Sequence, residues 1–385
     1  MEELYLLDEN RKRKHIIDTY SNIIWAPRYN DLGDCELVVP ATEENFSKIK
    51  ESKYISRNDD DLVCEIKKIE IQTDEENGNQ LIITGIDIKN ILNQRIVEKQ
   101  TNFNGLVEDY IRKLINDSII NPTNTERKIN NFILADKVGF TEKISEQVTY
   151  DYVGDKIQEL CKQYGWGYNV TIINENFVFS LYKGKDKSAY ITFSQDYDNI
   201  STTNYSKDDS NIKNVALIAG EGEGVERVTA TIGAGKGIDR HELYIDARDI
   251  SSEIDYSELV SSYPNGVEKT INNVIYYQVN GTNIAILTKD DAGEVNKVQL
   301  CSNIYIENLK NTGYEKMSAY KSITSFTGEV IVGINYTYKK DYNLGDIVSI
   351  VNEYGISIKA RICEIIENQD DNGYSMEPTF ENVER

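Results

Sequence analysis

The stretch with the clearest potential for chemistry is GEGEGVERVTATIGAGKG, residues 220–237, because it holds six of the chain's 24 glycines. Glycine-rich loops cradle phosphate groups when their spacing is G-x-x-x-x-G-K-[ST]. Here Lys236 follows Gly235, but Gly237 stands where a serine or threonine is required. The first glycine of the pattern is also missing, since Ala230 occupies that position. The spacing therefore does not predict a P-loop.

The dinucleotide pattern G-x-G-x-x-G fails in the same stretch. Val225, Arg227 and Ile238 occupy positions where a further glycine would be needed. Neighbouring carboxylates would repel a phosphate group; they belong to Glu221, Glu223 and Glu226. We therefore expect two glycine-rich turns around the strand ERVTATI, and no nucleotide site.

Nucleophilic and metal chemistry have few residues available. The chain has two histidines, His15 and His241, and neither neighbours a nucleophile motif such as G-x-S-x-G. The five cysteines form no CxxC pair; they are Cys35, Cys64, Cys161, Cys301 and Cys363. We expect them to be small buried residues of a chain made in a reducing compartment. With 64 acidic residues, chance carboxylate pairs are certain, so no catalytic, cofactor-binding or metal-binding residue is predicted.

Three acidic clusters have side chains that could attract Ca²⁺, namely RNDDDL (57–62), TKDDAGE (288–294) and NQDDNGYSMEP (368–378). The last fits the first six positions of an EF-hand loop, which requires a bidentate glutamate at its twelfth position. That position is Thr379. The pattern favours a hairpin turn over a calcium loop.

Charge and hydropathy exclude two broad classes. The net charge is −22 over 385 residues, whereas a nucleic-acid-binding surface needs Lys and Arg to replace phosphate counterions. Specific DNA or RNA binding is therefore disfavoured, although an acidic surface would suit a channel through which DNA passes without adhering. No apolar run approaches 18 residues, so no membrane span is predicted, and the N-terminus shows no secretory signal.

Short β-rich runs separated by Gly, Asn or Asp dominate residues 1–95 and recur beyond residue 190, which is typical of a barrel or sandwich. In the first region a hairpin is predicted at Asn77-Gly78, a short helix at EENFSKIKE and an amphipathic helix at IDIKNILNQRI. In the second region KNVALIAG, ERVTATIG, HELYID, VIYYQVN and SNIYIENL are predicted strands. Gly220 and Gly345 are predicted turn glycines with positive φ.

Residues 96–190 have a different pattern. Apolar residues recur at helical spacing in NFNGLVEDYIRKLINDSI and again in DYVGDKIQELCKQYG, whose second helix is expected to end at Gly165. The runs YNVTII and FVFSLY flank residues 174–176 as a predicted hairpin. This block is therefore predicted to be a small α+β insert in a mainly β chain.

Three ordered segments resemble a known family. They are IIWAPRYNDLGDCELVVPAT (23–42) with the YISRNDDDLVCEIKKIEI and LIITGIDIKNILNQRIV runs after it, VALIAGEGEGVERVTATIGAGKGIDRHELYIDARDI (215–250), and YKKDYNLGDIVSIVNEYGISIKARICEIIENQDDNGYSMEPTF (338–380). In this order they resemble the hub proteins at the tail tip of long-tailed phages and related prophage particles. This siphophage tail-hub family is a relative of the central hub of contractile-tail baseplates.

The resemblance implies a fold that is mainly β with an α+β insert, in which two tube-type β-barrel or sandwich domains are joined by two smaller domains. By analogy, residues 1–95 are the first tube-type domain and 96–190 the insert. Residues 191–250 with about 320–385 are the second tube-type domain, and 251–320 are a small accessory domain. Fold analogy alone does not establish function.

The resemblance further implies a structural homotrimer with no enzymatic activity and no cofactor. Two tube-type domains in each of three subunits would form a pseudo-sixfold ring that adapts the sixfold tail tube to a threefold tip. Implied partners are a distal tail or tail tube protein on one side and a tip, fibre or spike protein on the other, with the tape measure protein as a candidate occupant of the channel. The implied location is the tail tip of a virion or phage-like particle assembled in the bacterial cytoplasm.

Candidate interface residues are Trp25, Arg28 and Tyr29, whose types often anchor protein interfaces; for Trp25 a place in the core is the competing prediction. Many members of the family continue into peptidase, glycan-cleaving or fibre domains, whereas this chain ends five residues after PTF, so no such extension is expected. Two alternative functions stay open: a glycan-binding adhesin, in which some of the 26 tyrosines stack on sugars, and a cell-wall hydrolase.

Overall fold

Runs of β-branched and aromatic residues fold into a mostly β structure with several sheets. The structure is a computed structural model that describes residues 3–74, 78–327, 329–331, 334–352 and 354–383. Among these residues no sheet closes into a barrel. The prediction of a mainly β chain with an α+β insert is confirmed.

The first region forms seven strands and one α-helix. They are β1 (Leu4–Leu7), β2 (Arg13–Ile17), β3 (Asn22–Ala26), β4 (Asp34–Pro40), α1 (Glu43–Lys50), β5 (Tyr54–Arg57), β6 (Val63–Asp74) and β7 (Gly78–Asp87), followed by a 3₁₀ helix at Ile88–Gln94. The predicted hairpin is present as β6–β7, although Asn77 itself lies outside the described residues. Helix α1 begins where the Thr42 side chain accepts a hydrogen bond from the Asn45 backbone N–H.

The insert contains both predicted helices, with shifted bounds. Its elements are β8 (Thr101–Leu106), α2 (Val107–Ile115), a π-helical turn at Asn116–Ile120, a 3₁₀ helix at Thr125–Arg127, β9 (Phe132–Leu134), β10 (Lys143–Val148), α3 (Val153–Tyr164), β11 (Gly167–Ile173) and β12 (Asn176–Tyr182). The first residues of the predicted first helix form β8 instead, because they pair with β10. Helix α3 ends as predicted at Gly165, which has a φ of +66°.

The rest of the chain contains fourteen described strands and two α-helices. They are β13 (Thr192–Ser194), β14 (Asn204–Asp208), β15 (Val215–Ala219), β16 (Thr229–Gly233), β17 (Glu242–Asp246), β18 (Glu253–Asp255), α4 (Tyr256–Ser262), β19 (Val267–Ile271), β20 (Val274–Val279), β21 (Thr282–Leu287), β22 (Lys297–Leu300), α5 (Ser302–Met317), β23 (Ile323–Thr327), β24 (Ile347–Val351), β25 (Ser357–Asp370) and β26 (Gly373–Asn382). Short 3₁₀ helices lie at Gln195–Tyr197, Gly224–Glu226 and Gly237–Asp239.

The prediction of a strand at SNIYIENL is wrong, since these residues open helix α5. The isoleucines at 304 and 306 imitate strand alternation, but the buried positions are Tyr305, Leu309 and Gly313 at helical spacing. Gly313 lets the helix approach the sheet closely, because a Cβ there would lie 2.6 Å from Ile218 Cδ1. Tertiary packing against β15 and β16 therefore decides the helix.

One large sheet joins the two ends of the chain. Its strand order is β14-β23-β26-β25-β3-β4-β7-β6-β5-β1-β2, with β13 and β24 attached beside β25. Smaller sheets are β8 with β10, β9 with β11 and β12, β15 with β16 and β17, and β18 to β22. No described helix is long and apolar enough to cross a membrane.

The cores group the chain differently from the sequence prediction in one respect. Strands β15–β17 share a core with residues of β20–β22 and α5. Residues of β13, β24, β25 and β26 share another core with residues near 330–342. The sequence prediction joined 191–250 to 320–385, but Ala216, Ile218 and Ile232 pack against the accessory region instead. These three strands form their own sheet, and in the part of the chain that the structure describes no strand pairing joins them to the C-terminal hairpin.

Candidate assembly interface

The large sheet contains the same four-strand arrangement twice. The first copy has the order β3-β4-β7-β6 and the second has the order β14-β23-β26-β25. In both, the last two strands form a long antiparallel hairpin. The first strand of each hairpin carries one bulged residue, Lys67 in β6 and Cys363 in β25. The chain thus presents two equivalent β units in one continuous sheet.

The register confirms that the two units correspond strand by strand. Reading across the first unit, Trp25 pairs with Cys35, Cys35 with Gly85 and Gly85 with Ile66. Reading across the second unit gives the row Tyr205, Phe326, Phe380 and Ile362. Each row ends on the residue directly before the bulge, so the position of Trp25 in one unit is that of Tyr205 in the other.

The two units meet within the chain where β25 pairs with β3. The pairs are Trp25 with Glu367, Ile24 with Asn368 and Ile23 with Gln369. Trp25 is completely buried here. The joint lies four to six residues beyond the bulge of β25, on the edge of the hairpin that faces away from β26.

Buried charges surround this joint. The Arg57 guanidinium donates to Asp59 and, over 3.2 Å, to a Glu367 carboxylate oxygen. Lys339 Nζ lies 2.8 Å from an Asp60 carboxylate oxygen. Burial would raise the pKa of Asp59, but the hydrogen bond and charge of Arg57 outweigh it and lower that pKa to about 2. Asp59 therefore stays ionised, and Arg57 connects the end of β5 to Glu367 on β25.

A groove of 420 Å³ lies over the same joint. Its walls combine aromatic side chains with this charge cluster; they include Tyr20, Trp25, Tyr336, Tyr338, Tyr374 and Lys339. Among the described residues, no group of three or more His, Cys, Asp or Glu side chains is arranged to hold a metal ion.

The candidate interface residues lie at this joint inside one chain. Arg28 Nε donates to a Glu364 carboxylate oxygen over 2.6 Å, and the same guanidinium pairs with Asp34. Tyr29 is completely buried; its hydroxyl donates to the Gly165 carbonyl over 3.1 Å. Trp25 and Tyr29 therefore have no accessible surface to offer another subunit, and a role for Arg28 between subunits stays a prediction.

Lys89 is a buried charged residue that supports the segment after β3, and sequence reasoning missed it. Its side chain is buried beneath the joint, and Nζ donates to the carbonyls of Arg28 and Asp31 over 2.9 and 2.6 Å. It also lies 3.2 Å from the buried Asp87 carboxylate. Burial raises the pKa of Asp87 despite this ion pair. No local pattern in IDIKNIL separates this lysine from an exposed one.

A second buried charge cluster connects the insert to helix α5. Lys156 on α3 contacts the Glu146 carboxylate on β10 and lies 3.5 Å from a carboxylate oxygen of Glu315 on α5. Burial raises the pKa of Glu146 to about 8; Lys156 opposes this rise and Glu315 adds to it. The two carboxyl groups therefore share one lysine, and Glu146 stays largely protonated at neutral pH.

The glycine-rich stretch forms the predicted turns, and it contains a repeat that sequence reasoning missed. The segments GEGVER (222–227) and GKGIDR (235–240) follow one pattern. In each, a glycine with a φ of +54° or +56° opens a 3₁₀ turn. The central residues, Val225 and Ile238, are 98% and 93% exposed. The repeat could have been found from its period, because the two segments begin thirteen residues apart.

The remaining predicted features are placed as follows. The acidic run 368–378 forms the turn between β25 and β26, where Asp370 pairs with Gly373. The prediction of a positive φ is confirmed for Gly345, at +89°, and is wrong for Gly220. Gly220 is constrained by space instead, since a Cβ there would lie 2.4 Å from the Tyr305 hydroxyl. Three cysteines are buried and two, Cys301 and Cys363, are partly exposed.

Known structures share this fold over nearly their whole length. The tail protein from Neisseria meningitidis MC58 is similar with a TM-score of 0.57 and 10% identity, over 100% of this chain and 97% of that one. The 43 kDa tail protein of prophage MuSo2 from Shewanella oneidensis gives 0.53 and 12%, over 98% and 97%. Prophage tail protein gp18 from Listeria monocytogenes EGD-e gives 0.52 and 14%, over 100% and 95%.

These likenesses define the class as a phage tail protein fold. No curated protein matches the sequence. The chain belongs to the Siphovirus ReqiPepy6 Gp37-like protein family, whose model matches residues 3–380. The predicted membership of a siphophage tail protein family is confirmed.

Proposed function

We propose that this tail protein is the hub at the tail tip, where three copies form a ring that adapts the sixfold tail tube to a threefold tip. The observation that supports this proposal is that one sheet contains the same four-strand unit twice. Three chains with two units each supply six equivalent units, which is the number that a sixfold tube requires. Closed rings form when a head-to-tail contact repeats through a rotation that closes.

The open ends of the doubled arrangement support a head-to-tail contact. Among the described residues, β14 has β23 as its strand neighbour and ends the sheet. At the other end, β5 pairs with β6 over Val63–Glu65, before the bulge. Beyond the bulge, β6 is paired on the β7 side, and its Ile71 is 61% exposed. Open edges of this kind are sites of pairing with another chain.

We further propose a domain division that changes one predicted boundary. Residues 1–95 and 96–190 keep their assignment, and 191–210 join about 320–385 as the second tube-type domain. Strands β15–β17 move to the accessory domain, because their core is shared with β20–β22 and α5. In the particle, a tail tube or distal tail protein would contact one face of the ring and a tip, fibre or spike protein the other, with the tape measure protein in the channel.

Imaging of the assembled particle with threefold symmetry tests the proposal. The expected result is density for three copies at the tail tip, with six β units around the channel. Mass measurement of the isolated chain is a weaker test, because a subunit can stay monomeric until assembly. A particle whose tip contains this chain in one copy, or outside the threefold ring, would contradict the proposed function.

A further inference from the structure

The joint between β25 and β3 provides a template for the contact between neighbouring copies. In that joint the edge of a long hairpin strand, beyond its bulge, pairs with the first strand of the other unit. Strand β6 has the same free edge beyond the bulge at Lys67. Strand β14 is the equivalent of β3, because both pair with the strand next to the hairpin. Every chain therefore carries both strands that a second joint of this kind would need. The free edge of β6 lies at one end of the doubled arrangement, and β14 lies at the other.

We propose, resting on the ring proposed above, that β6 of one copy pairs antiparallel with β14 of the next copy. The equivalence of Trp25 with Tyr205, and of Glu367 with Ile71, sets the register. Ile71 of one chain then lies opposite Tyr205 of its neighbour. Both side chains are partly exposed in the single chain, at 61% and 37%. A β-branched residue opposite an aromatic one is a favourable cross-strand pair.

Charge complementarity supports this register independently. In the template joint, Arg28 lies opposite Glu364 as an isolated antiparallel bridge and forms an ion pair with it over 2.6 Å. Glu364 is the first residue after its bulge, and its equivalent in β6 is Lys68. The equivalent of Arg28 is Asp208, the last residue of β14. The proposed joint therefore has an ion pair at the same position, with the negative residue on β14 and the positive residue on β6.

The rest of the pairing contains no like charges in direct opposition. Glu70 would face Ser206, and Ile69, which is 38% exposed, would face Lys207. Lys68 has a side chain 61% exposed, and its present partner is Glu70 on the same strand. The sheet would then continue from chain to chain, as eight strands repeated three times. A second copy of this chain is thus the partner that both edges fit.

Cysteine cross-linking tests the register in assembled particles. Cα atoms of directly opposed antiparallel residues lie about 4.5–5.5 Å apart, which permits a disulfide. We expect the double variant Ile71→Cys with Tyr205→Cys to give covalent dimers and trimers on oxidation, detected by non-reducing electrophoresis. Each single variant, and Ile71→Cys with Lys207→Cys two residues out of register, should stay monomeric under the same conditions.

Charge exchange provides a second test. Lys68→Glu or Asp208→Lys alone should weaken each joint roughly fivefold, the fold-change that corresponds to about 1 kcal/mol for an exposed pair. The double variant should restore the yield of rings. If imaging shows the threefold ring while the in-register cysteines fail to cross-link, the pairing is wrong and the proposed function stands. If the ring itself is absent, the proposed function fails first.

Discussion

The Glu146–Lys156–Glu315 cluster makes the stability of this protein depend on pH in a direction that the structure specifies. The unfolded pKa of a glutamate is near 4.5, and burial raises the pKa of Glu146 in the folded chain to about 8. The folded chain therefore binds a proton on the Glu146 carboxyl more tightly than the unfolded chain does, and this difference stabilises the fold. Its contribution to stability is complete below about pH 4.5, falls as the pH rises, and is lost above about pH 8.

The magnitude follows from the size of the pKa rise. Each pKa unit corresponds to about 1.4 kcal/mol, so the rise of Glu146 from 4.5 to about 8 is worth at most about 5 kcal/mol. The facing groups are Lys156 and the more exposed Glu159 on α3, Glu315 on α5 and the buried Tyr110 on α2. Lys156 is the one lysine that contacts these three glutamates. Ionisation of Glu146 therefore leaves an uncompensated negative charge between the insert and α5.

The perturbation is Glu146→Gln, which keeps the shape of the side chain and removes the titration. We expect the variant to gain stability relative to the wild type as the pH rises from 5 to 8.5. The difference in Tm should grow by a few °C over that range, since an unfolding entropy of about 2.1 cal/mol/K per residue makes 1 kcal/mol worth roughly 1.2 °C in a chain of this size. Differential scanning calorimetry across this pH range measures it.

Two further variants make the result interpretable. Glu315→Gln should flatten the pH dependence as well, because Glu315 raises the pKa of Glu146. Glu159→Gln is the matched control, since its side chain is 56% exposed and its charge is screened by solvent. Equal pH dependence of Tm in the wild type and Glu146→Gln would refute the reasoning, whatever the absolute stability of the variant.

Two other predictions concern the joint between the β units. Gly345→Ala should destabilise the chain by about 3 kcal/mol or more, because φ is +89° and the new Cβ would lie 2.1 Å from the Tyr29 ring. Gly281→Ala is its control: φ is +84° with no atom within 4 Å, so about 1 kcal/mol is expected; equal losses in urea unfolding would contradict the packing argument. Lys89→Met should cost about 3–5 kcal/mol by leaving a buried carboxylate unpaired. Adding Asp87→Asn should recover part of that loss, and no recovery would show that the ion pair is not its cause.

Local features of the chain were predictable because their causes are local. Helix α3 ends at Gly165 since a residue with positive φ is needed there. The hairpin of β11 and β12 turns at Asn174 and Glu175, both with positive φ, where the sequence predicted it. The glycine-rich stretch was assigned to turns by failing the spacing that phosphate binding requires, and the structure has turns there.

The candidate interface depended on contacts between distant parts of the chain. Trp25 pairs with Glu367 across more than 300 residues, and no periodicity in either segment indicates its partner. Helix α5 likewise overrides a strand-like alternation because Gly313 fits against β15 and β16. The sequence by itself determined the β-rich composition, the turns and the family resemblance. Tertiary structure alone decided which strands are equivalent and which edges stay open, because strand pairing is set by the register of residues far apart in the chain.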